Sequence, residues 1–131
     1  MRKFALFVAP LLLLLALAVA GCGKGGGGTS SATCSTGTVD MTASNFAVDC
    51  ANIKAGSAIT FVDPASAAIH ILCIGKDQKC DASAPGPAEL TGGKNLTVNP
   101  GDTKSVTFPT AGTYEVTCTV HANVNLTVTV S

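Results

Sequence analysis

The chain reads as a single all-β domain, a sandwich or barrel. Apolar residues alternate with polar or small ones at a period of two from Thr38 onward. Gly- and Pro-containing turns separate the alternating runs, and no amphipathic helix of useful length interrupts them. The length, 131 residues, leaves room for one such domain, and a domain of this size still buries a workable core.

Before the first strand come two segments that cannot contribute to a core. Met1-Arg2-Lys3 is a positive start, and Phe4 to Ala20 is an apolar run containing Pro10 and five consecutive Leu. These are the charged and greasy regions of a secretory signal. The run ends in Val19-Ala20-Gly21-Cys22, which resembles the lipobox of bacterial lipoproteins, where the Cys is acylated and becomes the new N-terminus. An uncleaved anchor is the alternative, but 17 apolar residues barely span a bilayer. Residues 1–21 are therefore expected to be a lipoprotein signal peptide. Residues 22–37 are expected to be the lipidated Cys22 and a flexible Gly/Ser/Thr tether, too polar and too glycine-rich to pack. The glycines follow Lys24 and no strand precedes them, so they do not make a phosphate-binding loop. On either reading the domain, residues 38–131, is expected outside the cytoplasm, held to the membrane and facing the periplasm or cell exterior.

The strands follow in order. Ile59 and Phe61 alternate within Ser57 to Val62, and Ala67 to Leu72 is a short apolar run around His70. Val106 and Phe108 alternate within Lys104 to Phe108. Tyr114, Val116 and Cys118 share one face of Thr113 to Cys118, and Val124, Leu126, Val128 and Val130 alternate with Asn125, Thr127 and Thr129. Each is a half-buried strand with one apolar and one wet face, and the domain reads as antiparallel. Turn chemistry separates them at Ala55-Gly56, Asp63-Pro64, Pro85-Gly86-Pro87, Thr91-Gly92-Gly93, Asn99-Pro100-Gly101-Asp102 and Ala111-Gly112. Cys73 to Leu96 is the least strand-like part and reads as a long excursion with room for a short helical turn.

Composition excludes several functions. Eight Lys+Arg balance eight Asp+Glu, and without residues 1–21 six Lys face eight acids, a net charge of −2. A nucleic-acid binder needs a basic face to neutralise phosphates, so no nucleic-acid partner is expected. Five Phe, one Tyr, no Trp and two His leave little for a multi-residue active site. No Gly-x-Ser-x-Gly elbow occurs, and no third group orients a Cys/His pair.

The cysteines and histidines carry the chemistry. With Cys22 spent on lipid, Cys34, Cys50, Cys73, Cys80 and Cys118 remain. In an oxidising compartment four of them form two bridges and one is left over. Three connectivities are open for Cys34, Cys50, Cys73 and Cys80; the most local pairs Cys34 with Cys50 and Cys73 with Cys80. Cys118 leaves a strand and is followed by Thr119-Val120-His121, so a thiolate and an imidazole converge at a strand exit. His70 lies 48 residues upstream. One soft thiolate and two imidazoles are the ligand set of a blue-copper site. The bland alternative is a buried free Cys and two ordinary histidines.

Residues 38–131 resemble the cupredoxins, the plastocyanin/azurin-like blue-copper domains. The residues that carry the resemblance are Asn45-Phe46, Ile53 to Asp63, His70, Pro100-Gly101-Asp102, Val106-Thr107-Phe108 and Ala111 to Cys118, closed by Cys118-Thr119-Val120-His121. The resemblance implies a Greek-key β-sandwich holding one type 1 copper through His70, Cys118 and His121. It also implies single-electron transfer to a redox protein partner by a monomeric carrier that is not an enzyme. Two departures stand out. Val124 occupies the position of the family's axial Met, and Met41 is poorly placed to replace it, so the axial bond is expected to be absent or supplied by a carbonyl such as that of Ile69. Loss of a soft axial donor is expected to raise the reduction potential. Ile71 stands where many members carry a polar Asn or Asp. A copper carrier or storage lipoprotein would use the same three ligands, and a metal-free interaction domain would keep the fold without them.

Overall fold

The computed structural model describes residues 33–131. The expected signal peptide, Cys22 and the tether up to Ala32 lie outside the described residues. Nine strands form among the described residues: β1 (Thr38–Asp40), β2 (Cys50–Ile53), β3 (Ala58–Val62), β4 (His70–Lys76), β5 (Lys79–Cys80), β6 (Leu96–Val98), β7 (Thr103–Thr107), β8 (Gly112–Cys118) and β9 (Asn125–Val130). No helix forms among the described residues.

One sheet has the order β1-β3-β7. The other runs β2-β9-β8-β4-β5, with β6 also paired to β4. Leu72 is paired with Cys118 of β8 and with Leu96 of β6, so those neighbours flank β4 on opposite edges. The apolar faces meet in one core. Val39, Ile59, Phe61 and Val106 of the smaller sheet pack with Leu72, Ile74, Val116, Leu126 and Val128 of the larger, all fully or almost fully buried. Burying each of these large side chains contributes about 1.5–3 kcal/mol. The period-two pattern is what makes this work: inward Tyr114, Val116 and Cys118 alternate with outward Thr113 and Glu115. At the end of the sandwich where β8 begins, the Tyr114 hydroxyl donates to the Thr110 carbonyl at 2.7 Å, and its ring meets Phe108 edge-on at 5.3 Å. That hydrogen bond satisfies the polar tip of a buried aromatic.

The antiparallel reading holds for most pairs and fails for two. β1 runs parallel to β3, with Thr38 opposite Thr60, and β2 runs parallel to β9, with Cys50 opposite Thr127. The chain crosses from one sheet to the other between β1 and β3, because β2 belongs to the opposite sheet, and so re-enters in the same direction. Alternation reports which face is buried and is blind to the direction of the neighbour.

The stretch after His70 also differs from expectation. The strand expected over Ala67 to Leu72 starts only at His70, after a turn in which Ala67 N–H donates to the Pro64 carbonyl. It then continues to Lys76 with Cys73 and Ile74 buried, and folds back as β5. No helical turn forms between Cys80 and Leu96. Three separate hydrogen-bonded turns form instead, Asp81 to Ala84, Pro87 to Leu90 and Thr91 to Lys94; the second accompanies the burial of Leu90, whose carbonyl accepts from Ile74 N–H at 2.8 Å. Gly75 and Lys76 had hidden the strand's second half by breaking the apolar pattern.

Disulfides join Cys34 to Cys50 and Cys73 to Cys80. The first pins the segment before β1 to β2, where Ser35 also bridges Ala51.

Candidate metal centre

Cys118 is the last residue of β8 and the free cysteine among the described residues, fully buried. His70 is the first residue of β4 and equally buried. These strands are hydrogen-bonded neighbours with Leu72 opposite Cys118, so the sheet itself sets the thiol beside the start of the histidine strand. Past Cys118 the chain turns through the half-buried His121 and returns at Asn125. Asn123 sits in the left-handed region, φ 63°, a conformation asparagine tolerates. The turn is pinned at both ends. Thr119 N–H donates to the Ile71 carbonyl at 2.8 Å, and Cys118 N–H donates to the Val124 carbonyl at 3.1 Å.

The three side chains meet. Cys118 Sγ is 3.5 Å from His121 Nδ1, and the two imidazole rings are 4.8 Å apart at 50°. One donor atom from each of His70, Cys118 and His121 lies within 4.8 Å of the others. That is the scale on which one ion, with bonds of about 2.0–2.3 Å, collects three donors.

His70 tests the fit. Its Nε2 lies 3.0 Å from the Thr42 carbonyl. A carbonyl only accepts, so Nε2 carries the proton and Nδ1 keeps its lone pair. Nδ1 is buried and has no hydrogen-bond partner. A buried acceptor without a partner costs about 1–3 kcal/mol, a cost that a metal bond removes. Orientation of a ligand imidazole through its other nitrogen is what metal sites require. The residues therefore fit a soft, thiolate-preferring ion, copper among them.

Thr42 and Asp63 belong to the surroundings of the site and were not among the residues expected from sequence. Thr42 acts through its backbone and left no signal. Asp63 left one: it continues the inward positions Ile59 and Phe61 by two residues. It is 2% exposed, and neither carboxylate oxygen has a hydrogen-bond partner. Burial pushes its carboxyl above the usual carboxylate range. His70 and His121 pull it down and Asp102 pushes it up.

Val124, at the expected axial position, packs into the hydrophobic core. Its carbonyl is occupied by Cys118 N–H and by the Thr117 hydroxyl at 3.1 Å. Met41 is buried beside Phe46, with which it forms a β-bridge. A hollow of about 540 Å³ lies elsewhere, lined by Asn52, Lys54, Ser57, Thr129 and Ser131 among others.

Solved structures share this architecture. A methionine-to-alanine mutant of amicyanin in its Cu(I) form and a proline-to-glycine mutant reduced at pH 4 each superpose with a TM-score of 0.54 at 21% identity. An oxidized methionine-to-leucine mutant of amicyanin gives 0.54 at 22%. Each alignment covers 73% of this chain and 82% of the other. No curated protein sequence matches the chain. The model of the copper binding proteins of the plastocyanin/azurin family matches residues 32–131, the whole sandwich with its His70, Cys118 and His121 cluster. The chain belongs to that family, and its cofactor is one copper ion.

Proposed function

We propose that the protein carries single electrons between redox partners and catalyses no reaction of its own. The observation that carries this reading is the meeting of one thiol and two imidazoles on a frame that fixes them before any metal arrives. When bound, copper supplies the one-electron chemistry by alternating between Cu(II) and Cu(I). The chain's own residues do the rest. β4 and β8 hold His70 and Cys118 on paired strands, so a change of charge at the site meets little freedom to rearrange. The Thr42 carbonyl keeps the His70 ring in one tautomer.

His121 is the half-buried ligand and marks the path to the surface. Val120 beside it is 45% exposed and Ile69, preceding the other histidine, is 42% exposed. Together with exposed Ala122 they supply apolar surface beside the ligands, suited to brief contact with another redox protein. Absence of the soft axial side chain favours a raised potential. Two disulfides and the amino-terminal sequence support an exported, lipid-anchored protein working at the outer face of the bacterial membrane.

Electron self-exchange, read from NMR line broadening in mixtures of the Cu(I) and Cu(II) forms, tests the reading. Exchange fast enough to broaden the His121 ring signals is expected. Slow exchange, combined with rapid loss of Cu(I) to a competing chelator, would replace electron transfer with copper delivery.

A further inference from the structure

The β4–β5 hairpin reaches the copper-ligand loop from outside the ligand set. Gly75 pairs with Cys80 and Lys76 with Lys79, leaving Asp77 and Gln78 as a two-residue turn. A Cβ on Gly75 would collide with the Lys79 carbonyl, so the two strands close as tightly as backbone allows, and the Cys73–Cys80 disulfide locks them. Asp77 and Gln78 have φ of 51° and 67°. A free hairpin of this type favours Asn-Gly there, because other side chains are strained in the left-handed region. Asp77 suits the first of these positions as Asn would, but Gln78 stands where Gly is favoured, and the larger sheet holds both residues.

Gln78 grips the start of the ligand loop on either side of Cys118. Its backbone N–H donates to Thr117 Oγ1 at 3.1 Å, and its side-chain Nε2 donates to the Thr119 carbonyl at 3.2 Å. Asp77 grips the end of the loop. Its N–H donates to Asn125 Oδ1, and Asn125 Nδ2 donates back to Asp77 Oδ1, both at 2.9 Å. Thr117 completes the ring. While accepting from Gln78 it donates to the Val124 carbonyl at 3.1 Å, the acceptor that Cys118 N–H also uses. Both ends of the segment Thr119 to Val124, which contains His121, are thus tied to one disulfide-closed turn.

We propose that this turn is a clamp on the copper-ligand loop and that Gln78 is its positioning residue, holding Cys118 and His121 at a fixed separation. The role rests on the electron-transfer reading for its purpose. The clamp itself is a property of the metal-free fold and is testable without copper.

Gln78→Glu is the sharpest variant. It keeps the size of the side chain and the exposed, positive-φ position, and replaces the donor to the Thr119 carbonyl with a carboxylate oxygen that repels it. In the metal-free protein at pH 7, hydrogen exchange at the Cys118 and Thr119 amides is expected to quicken about two- to tenfold, the yield of one lost hydrogen bond. Amides in β3 and β7 are expected to stay unchanged. Near pH 3.5 the introduced carboxyl is mostly protonated and donates again, so exchange is expected to return to that of the unaltered protein at the same pH. In the copper-loaded protein the thiolate-to-copper absorption is expected to shift at pH 7. The paired swap Asp77→Asn with Asn125→Asp keeps the partners of the second grip and is expected to preserve loop protection that Asn125→Asp alone loses. Unchanged exchange at Cys118 and Thr119, or equal quickening across both sheets, would overturn the clamp. A clamp seen in the metal-free protein, with no thiolate–copper band in any variant, would overturn the copper reading and leave the clamp standing.

Discussion

The two sheets share one core and divide the metal site between them. The larger sheet supplies all three candidate ligands: His70 opens β4, Cys118 closes β8, and His121 lies in the turn to β9. The smaller sheet supplies none. Its contribution is orientation and field: Thr42, just past β1, accepts from His70 Nε2, and Asp63, just past β3, places a buried carboxyl near both imidazoles. Ligation thus comes from one layer and ligand orientation from the other, and tight packing between the layers joins the two. The difference also separates two kinds of polar group. Far from the ligands the Tyr114 hydroxyl is satisfied. At the site, His70 Nδ1 and both Asp63 oxygens are buried without partners, as expected where polar groups are held ready for an ion or a charge.

The largest effect that would sharpen this division comes from the larger sheet. His70→Ala removes a ligand outright, and copper affinity is expected to fall by more than about 100-fold, since loss of an outer partner alone costs about 10–100-fold. Competition with a chelator of known strength measures it. A fall below tenfold would mean that the ligands come from elsewhere.

In the smaller sheet the expected effect is on stability. Phe61 is fully buried, with its ring 6.1 Å from that of Phe46. Phe61→Ala is expected to cost about 3–5 kcal/mol in urea unfolding of the metal-free protein, while the folded fraction keeps its thiolate–copper band. Loss of the band from protein shown to be folded would break the division, because ligation would then depend on the smaller sheet directly.

The smallest effect is confined to a pH window. The folded protein holds the Asp63 carboxyl above its ordinary value of 3.8. The folded state therefore binds more protons than the unfolded state between the two values, and stability falls as pH rises through that window. Asp63→Asn is expected to stabilise the metal-free protein at pH 7, with the gain shrinking toward pH 3. Equal gains at both values would show that the buried charge is not the cause.

Much of this was legible in the sequence because it is written at period two. Inward Ile59, Phe61, Tyr114, Val116, Leu126 and Val128 mark their own strands. Cys118 and His121 stand three residues apart at a strand exit, and His70 is the one other histidine. What was not legible depends on contacts between distant segments. The parallel pairing of β2 with β9 joins residues more than seventy positions apart and leaves no mark on either strand. The Thr42 carbonyl is a backbone group, which any residue at that position would offer. The hairpin at Asp77-Gln78 lacks the Asn-Gly signal because its turn is held by Asn125, Thr117 and Thr119 rather than by its own preference.

Titration of the protein with Cu(II), followed by visible absorption and repeated with Cys118→Ser, tests the central claim most directly. An intense blue band that saturates at one equivalent and is lost in Cys118→Ser is the predicted result. A band that survives Cys118→Ser, or no band at one equivalent of Cu(II) in the unaltered protein, would contradict it.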